Sequence, residues 1–327
     1  MHVEPHWVSL CCGLAATECR AMTGRFPPVA RMGGKRSYAD GVLDILGTWP
    51  KRWLLIDADL AIVEFWQAAF AGLLPAVAEV IRNAPADGEE LWRLWTSEPV
   101  PADPVERVAR WIVGQKGNFS AKPLSYGSDG WSGVAGWTAQ EPGSNYPERC
   151  RREPVAEKVE RWSGVAGFAS LSPLAHEWGF RDRIVREDLA DKAGALQPVG
   201  EALYLDLAAS SPVAHPGDLV TIDPPYRGTS GYGVALSRER VVELAQGAHE
   251  RGARVLVHEA EPVIEGGPWR SLRLQRTRGK GQRTWSKQKA EWVTINFEPA
   301  TAHPGAAKGR AATRREMAPI SGPLFEV

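Results

Sequence analysis

Cysteine is scarce in this chain and patternless. Cys11, Cys12, Cys19 and Cys150 form no Cys-x-x-Cys pair and no tidy framework in 327 residues. That argues against a zinc cluster or a disulfide scaffold and predicts a reducing compartment. Long hydrophobic runs are missing too: none approaches the roughly 18 residues that a membrane span needs. The opening MHVEPHWVSLCC is short on apolar length and carries an acid, unlike a secretory signal. Charge of one sign is not in surplus either. Lys+Arg and Asp+Glu both total 39, so any surface for a polyanion must be local. These absences predict a soluble cytoplasmic protein with no membrane partner and no metal.

What is present reads as α/β. The hydrophobic share of 43% is ample for one large core or two modest ones. HWVSLCCGLAATECRAM reads as a short buried strand, a turn at Gly13 and a helix. A Gly-Gly-Lys corner in PPVARMGGKRSYADGVLDILG feeds a helix whose Val42, Leu43, Ile45 and Leu46 have helical spacing. RWLLIDADLAIVEFWQAAFAGLL gives a strand ended by Asp57, then another helix, and Asp57 is a candidate N-cap for it. Such alternation predicts a sheet whose site lies at the carboxyl ends of its strands.

Between about 80 and 200 the texture changes. Tryptophan recurs, and the hexamer WSGVAG occurs at Trp131 and again at Trp162. Two copies are too few for a solenoid, and the tryptophans are expected to be mostly core. The α/β grammar returns with EALYLDLA and GDLVTIDPPY, a helix over Arg238 to Arg251, and the strands ARVLVHE and EWVTINF. His258-Glu259 follows a strand; a structural role is expected, with lining the pocket the alternative. Arg270 to Lys289 holds eight Arg or Lys and no acid, a candidate phosphate-contacting surface. From about 298 the tail, rich in Ala, Pro, Gly and Arg, has a disordered composition.

One stretch carries chemistry. TIDPPYRGTSGYG, residues 221–233, places an acid, two prolines and an aromatic ring after four sheet-forming residues. An exocyclic amine on a nucleobase is a poor nucleophile, because its lone pair is delocalised into the ring. Acceptors on its two N–H bonds localise that pair and stabilise the growing positive charge. Asp223 offers a carboxylate and Pro224 a carbonyl. The Pro224-Pro225 pair fixes φ without competing N–H donors. Tyr226 offers a flat face for a base drawn out of its duplex. Gly231-Tyr232-Gly233 reads as a flexible loop over that site, with Tyr232 a candidate DNA contact.

Asp-Pro-Pro-Tyr at a strand end resembles the signature of amino-group methyltransferases, and most of residues 8–297 resembles the Dam-like adenine-N6 DNA methyltransferases, phage members included. RMGGKRSYADGVLDIL, residues 31–46, is similar to that family's Gly-Gly-Lys motif, implying that Met32, Gly33, Gly34 and Lys35 lie by the methionine part of S-adenosylmethionine. LLIDADLAIVEFW is similar to the strand whose acid holds the cofactor ribose, a role that falls on Asp57. GQKGNFSAKPLSYG, residues 114–127, resembles a loop of the DNA-recognition insert, which implies DNA contacts at Lys116 and Asn118. The family's cofactor loop has a phenylalanine and several glycines after the Gly-Gly-Lys motif. Here SLCCGLAATE, with Gly13 alone, precedes it. Cys11 and Gly13 are its candidate cofactor contacts, with Asp223 touching cofactor as well as substrate.

The resemblance implies a Rossmann-like methyltransferase sheet, discontinuous over 1–80 and 200–297, with an inserted, mainly helical recognition domain over 81–199 and a tail over 298–327. It implies adenine-N6 methylation of double-stranded DNA by base flipping, with no metal, and leaves a cognate restriction enzyme open. Arg278, Lys280 and Arg283, interleaved with Gly279 and Gly281, are the basic residues best suited to lie in a groove. Three other readings stay open. They are cytosine-N4 methylation by the same amine chemistry, methylation of RNA or protein, and a catalytically inactive DNA-binding relative.

Overall fold

A computed structural model describes residues 5–23, 27, 34–83, 96–118, 123–134, 156–159, 169–170, 199–226, 236–274 and 291–301. The strands are β1 (His6–Leu10), β2 (Arg52–Asp57), β3 (Ser125–Gly127), β4 (Gly130–Ser132), β5 (Ala169–Ser170), β6 (Val199–Tyr204), β7 (Leu219–Ile222), β8 (Arg254–Glu259), β9 (Arg270–Leu274) and β10 (Glu291–Ile295). The helices are α1 (Ala16–Thr23), α2 (Ala39–Leu46), α3 (Leu60–Phe70), α4 (Leu74–Arg82), α5 (Pro104–Gly117) and α6 (Arg238–Glu250).

Eight strands form one sheet in the order β5-β6-β2-β1-β7-β8-β10-β9, and β3-β4 is a separate hairpin. β5 to β8 pair in parallel along that row, and β10 runs antiparallel to both β8 and β9. Counting β1, β2, β6, β7 and β8 in chain order, the spatial order is third-second-first-fourth-fifth. That is the doubly wound, Rossmann-like order, and its switch point falls between β1 and β7. The central strands are buried on both faces and so read as near-continuous apolar runs.

Three apolar clusters cover the sheet. One packs Val8, Leu10, Val220, Ile222, Val255 and Val257 under Val241, Leu244 and Ala245 of α6. A second sets Trp7, Trp53, Leu219, Leu256, Val293 and Ile295 against Val42, Ile45 and Leu46 of α2. The third joins α3, α4 and α5, where the Phe65 ring lies 5.2 Å from Trp66 and 5.6 Å from Trp111. Trp111 is fully buried and donates to the Leu124 carbonyl at 2.7 Å, so α5 and the β3-β4 hairpin share a core with α3. Gly200 of β6 lies so close to the Phe70 ring that a Cβ there would sit 2.3 Å from Cε1.

Several expectations need correcting. β9 turns the start of the basic stretch into an edge strand, with Arg270 paired to Glu298 at 2.6 Å. Residues 114–127 are not one loop: Gly114 to Gly117 close α5, and Ser125–Gly127 is β3. The N-cap of α3 is Asp59, which accepts from the Ala61 N–H at 3.1 Å, rather than Asp57. The first WSGVAG copy begins in β4, where Trp131 donates to the Glu98 carbonyl at 3.0 Å; the second lies outside the described residues. Among the described residues, no single helix is long and apolar enough to cross a membrane, and no cluster of three or more His, Cys, Asp or Glu side chains is arranged to hold a metal.

Candidate active site

The strand period of two puts a polar residue beyond an apolar one on each of four strands, in a layer staggered by the strand register. On the α1/α2 face the lower residues are Trp7, Leu219, Leu256 and Val293. Two positions nearer the carboxyl ends of the parallel strands, the same face presents Ser9, Thr221, His258 and, from antiparallel β10, Glu291. All four are buried. Glu18 of α1 completes the layer. Ser9 donates to its Oε1 at 2.7 Å and Thr221 at 3.2 Å, while the Trp7 indole donates to Thr221 Oγ1 at 3.0 Å. Burial raises the Glu18 carboxyl above its usual range, and the Ser9 hydroxyl and neighbouring donors offset this only in part.

Beside this layer stands the Asp-Pro-Pro-Tyr segment. The Asp223 N–H donates to the Leu10 carbonyl at 3.1 Å, so the β1-β7 ladder continues into the motif and fixes its start. Lys35 enters from the loop before α2, whose first turn forms as Tyr38 and Ala39 donate to the Lys35 carbonyl. Its Nζ lies 2.9 Å from Asp223 Oδ1, 3.7 Å from Glu291 Oε1 and 4.1 Å from the centre of the Tyr226 ring. Glu291 Oε1 also accepts from the Tyr226 hydroxyl and lies 3.1 Å from His258 Nδ1. Burial alone would raise the Glu291 carboxyl. The Lys35 ammonium and the His258 and Tyr226 donors overcome that and hold it below the usual carboxylate range. Burial, then the Asp223 and Glu291 charges, push the Tyr226 hydroxyl far up, so it remains a neutral donor. Glu259 is raised by burial, partly offset by the Ala260 N–H and by Lys35.

Across the switch point, Asp57 clamps the loop after β1. Its Oδ2 accepts from the Gly13 N–H at 2.8 Å and its Oδ1 from the Asp59 N–H at 2.9 Å. The Trp66 indole holds the Gly13 carbonyl at 3.0 Å. The loop is left-handed at Cys11 (φ 54°), Gly13 (φ 49°) and Ala15 (φ 41°). Only Gly13 adopts that without strain; such a conformation costs a non-glycine residue about 1–3 kcal/mol. A Cβ built on Gly13 would meet nothing within 4 Å, so the space over the loop is open. Cys11 lies within electrostatic reach of both Asp57 and Asp223. Burial first, then those charges, raise its thiol well above its usual value, which makes it a poor nucleophile.

No family model matches this chain. No curated protein matches it either. The functional reading therefore rests on the motif and on its geometry.

The structure brings Lys35, Asp223, Pro224, Pro225 and Tyr226 to one edge of the sheet with Cys11, Gly13 and Asp57, while Gly34 stands exposed before Lys35. Asn118 is corrected. Its side chain is fully buried and donates to the Gly133 carbonyl at 2.9 Å, so it shapes the path of the hairpin and does not face a ligand. Lys116 is half-buried in the last turn of α5. Met32, Gly33, Tyr232, Arg278, Lys280 and Arg283 lie outside the described residues. Sequence reasoning missed Glu18 and Glu291, and it gave His258 a place lining the pocket only as the lesser alternative to a structural role. The alternation Glu291-Val293-Ile295 was the available signal, since it puts an acid on the buried face of a strand.

Proposed function

We propose that this protein is an S-adenosylmethionine-dependent methyltransferase acting on the exocyclic amine of adenine in duplex DNA. The observation that carries the reading is the position of Asp-Pro-Pro-Tyr at the carboxyl end of β7, against β1, at the switch point where open α/β sheets take their ligands.

The residues facing that crevice fit the cofactor. Asp57 is a half-buried carboxylate at the end of β2, beside the open space over Gly13. A carboxylate has about four acceptor directions, so the clamp on two backbone N–H groups is compatible with ribose hydroxyls as further donors. Lys35 and the β1-α1 loop, with Cys11, flank the position for the methionine part. When bound, S-adenosylmethionine supplies a methyl group activated by its sulfonium.

The chain's own residues then orient and activate the amine. One N–H donates to the Asp223 carboxylate and the other to the Pro224 carbonyl, which the flanking prolines hold at a fixed angle. Tyr226 cannot swing away, because its hydroxyl is tied to Glu291. Lys35 covers one face of the ring, so the stacking face for the flipped base is the opposite one. The basic stretch of sequence that contains Arg278, Lys280 and Arg283 supplies phosphate contacts that position the duplex.

Sequencing that detects methylated adenines, run on DNA from cells expressing the protein and its Asp223→Ala variant, tests this. Modified adenines with the parent chain and none with the variant are expected. Methylcytosine instead, seen by mass spectrometry, would move the target to cytosine N4. No modified base with either chain would refute the reading.

A further inference from the structure

The amine acceptor of the proposed reaction is already engaged. Lys35 Nζ lies 2.9 Å from Asp223 Oδ1, and Lys35 is itself buried. A second carboxylate, Glu291, waits 3.7 Å from the same nitrogen. We propose that Lys35 is a shared counter-ion that holds Asp223 until the substrate amine arrives and then passes to Glu291, which makes Glu291 a positioning residue for methyl transfer. This rests on the amine-methyltransferase reading above.

The geometry suits a transfer of the lysine rather than of the acid. Glu291 Oε1 is pinned by the Tyr226 hydroxyl and by His258, so it cannot swing towards Asp223. Lys35 has a flexible stem, and about 1 Å of travel brings its ammonium within hydrogen-bond range of Glu291. The Tyr226 ring lies under the nitrogen at 4.1 Å and offers a cation–π surface between the two positions.

The transfer answers a charge problem. The amine nitrogen forms its bond to the methyl carbon as the carbon–sulfur bond breaks, with that electron pair staying on sulfur. The nitrogen is then cationic and must lose a proton, which passes to an oxygen of Asp223. With Lys35 on Asp223, the ammonium occupies an oxygen that must accept from the amine, and a like charge opposes the cation being formed. With Lys35 drawn towards Glu291, its contact with the accepting oxygen is broken and the like charge stands further off.

The test uses the full chain and two readouts. The first is the titration of the Asp223 carboxyl by carbon NMR in the free protein, where Lys35, Tyr226, Glu291 and Cys11 are the titratable groups that face it. Glu291→Gln should lower the Asp223 midpoint more with Lys35 present than in a Lys35→Met background, because only then does the lysine fall wholly to Asp223. Equal falls in the two backgrounds would be simple loss of a charge and would overturn the sharing. If Glu291→Gln does not fold, Lys35→Met decides alone. A shared lysine holds down both carboxyls, so both midpoints must rise, and a rise at Asp223 only overturns the proposal. The second readout is single-turnover methylation of DNA. Glu291→Gln should slow it about tenfold or more with unchanged affinity for S-adenosylmethionine, and should add little in the Lys35→Met background. A loss of equal size in both backgrounds shows that Glu291 acts by another route. Unequal falls in the titration, with no methyl transfer by the parent chain, would uphold the shared lysine but overturn the transfer together with the functional reading.

Discussion

Replacing Asp57 by asparagine should both loosen the fold and weaken the binding proposed for S-adenosylmethionine. Each carboxylate oxygen of Asp57 accepts one backbone N–H, from Gly13 at 2.8 Å and from Asp59 at 2.9 Å. Asparagine has one oxygen, so in either orientation its NH2 group faces one of those donors. The variant loses one charge-assisted bond, worth about 1.5–3 kcal/mol, and weakens the other to a neutral one. Asp57 is only half-buried, so water partly rescues the orphaned N–H, and a loss of about 2 kcal/mol is expected. The clamp also holds the left-handed turn through Cys11 and Gly13, which relaxes once the restraint weakens. Urea unfolding at neutral pH, followed by circular dichroism, measures this. With a slope of about 2–3 kcal/mol per molar, the midpoint should fall by roughly 0.7–1 M without a change of slope. Calorimetry on the same variant should show about tenfold weaker S-adenosylmethionine binding, equivalent to about 1.4 kcal/mol. A change in stability within about 0.5 kcal/mol, the range of an ordinary surface substitution, would show that the clamp contributes nothing.

Asp223→Ala should lower single-turnover methylation by at least about 100-fold while the protein still folds, and near-normal turnover would remove Asp223 from the chemistry. Gly200→Ala should cost about 1–3 kcal/mol in thermal unfolding, because its Cβ would lie 2.3 Å from Cε1 of Phe70, and an unchanged melting temperature would show that the ring moves freely. Glu18→Gln should stabilise the protein at neutral pH. A folded-state carboxyl raised by burial costs stability when ionised, a cost absent below its unfolded value and growing as pH rises to the folded one. The advantage of glutamine must therefore vanish in acid, and an advantage independent of pH would show that folding does not raise the Glu18 carboxyl. Neutralising Arg278, Lys280 and Arg283 together should reduce the log–log salt slope of DNA binding by roughly 0.9 for each phosphate that the variant no longer neutralises, equally for target and non-target DNA; an unchanged slope would mean a solvated face.

Strand identity was readable in the residues themselves. Trp53 to Ile56, Leu219 to Ile222 and Val255 to Val257 are apolar runs of strand length, because a parallel sheet buried on both faces tolerates little else. Asp223-Pro-Pro-Tyr stood out in the sequence because the combination serves no simple turn, and the structure sets it at the carboxyl end of β7. Strand β9 was not, since an edge strand needs only one buried face and Arg270 and Arg273 masked it as part of a charged run. Which side chains meet was decided by the tertiary structure alone. Lys35 and Glu291 are far apart in sequence, and only the β8-β10 pairing and the loop before α2 bring both to Asp223. Asn118 shows the converse: a polar residue in a glycine-containing stretch reads as exposed, yet the hairpin folds back and buries its amide against Gly133. Local periodicity records which face of an element is buried. The partners across that face come from chain reversals and sheet order, which no single stretch of sequence contains.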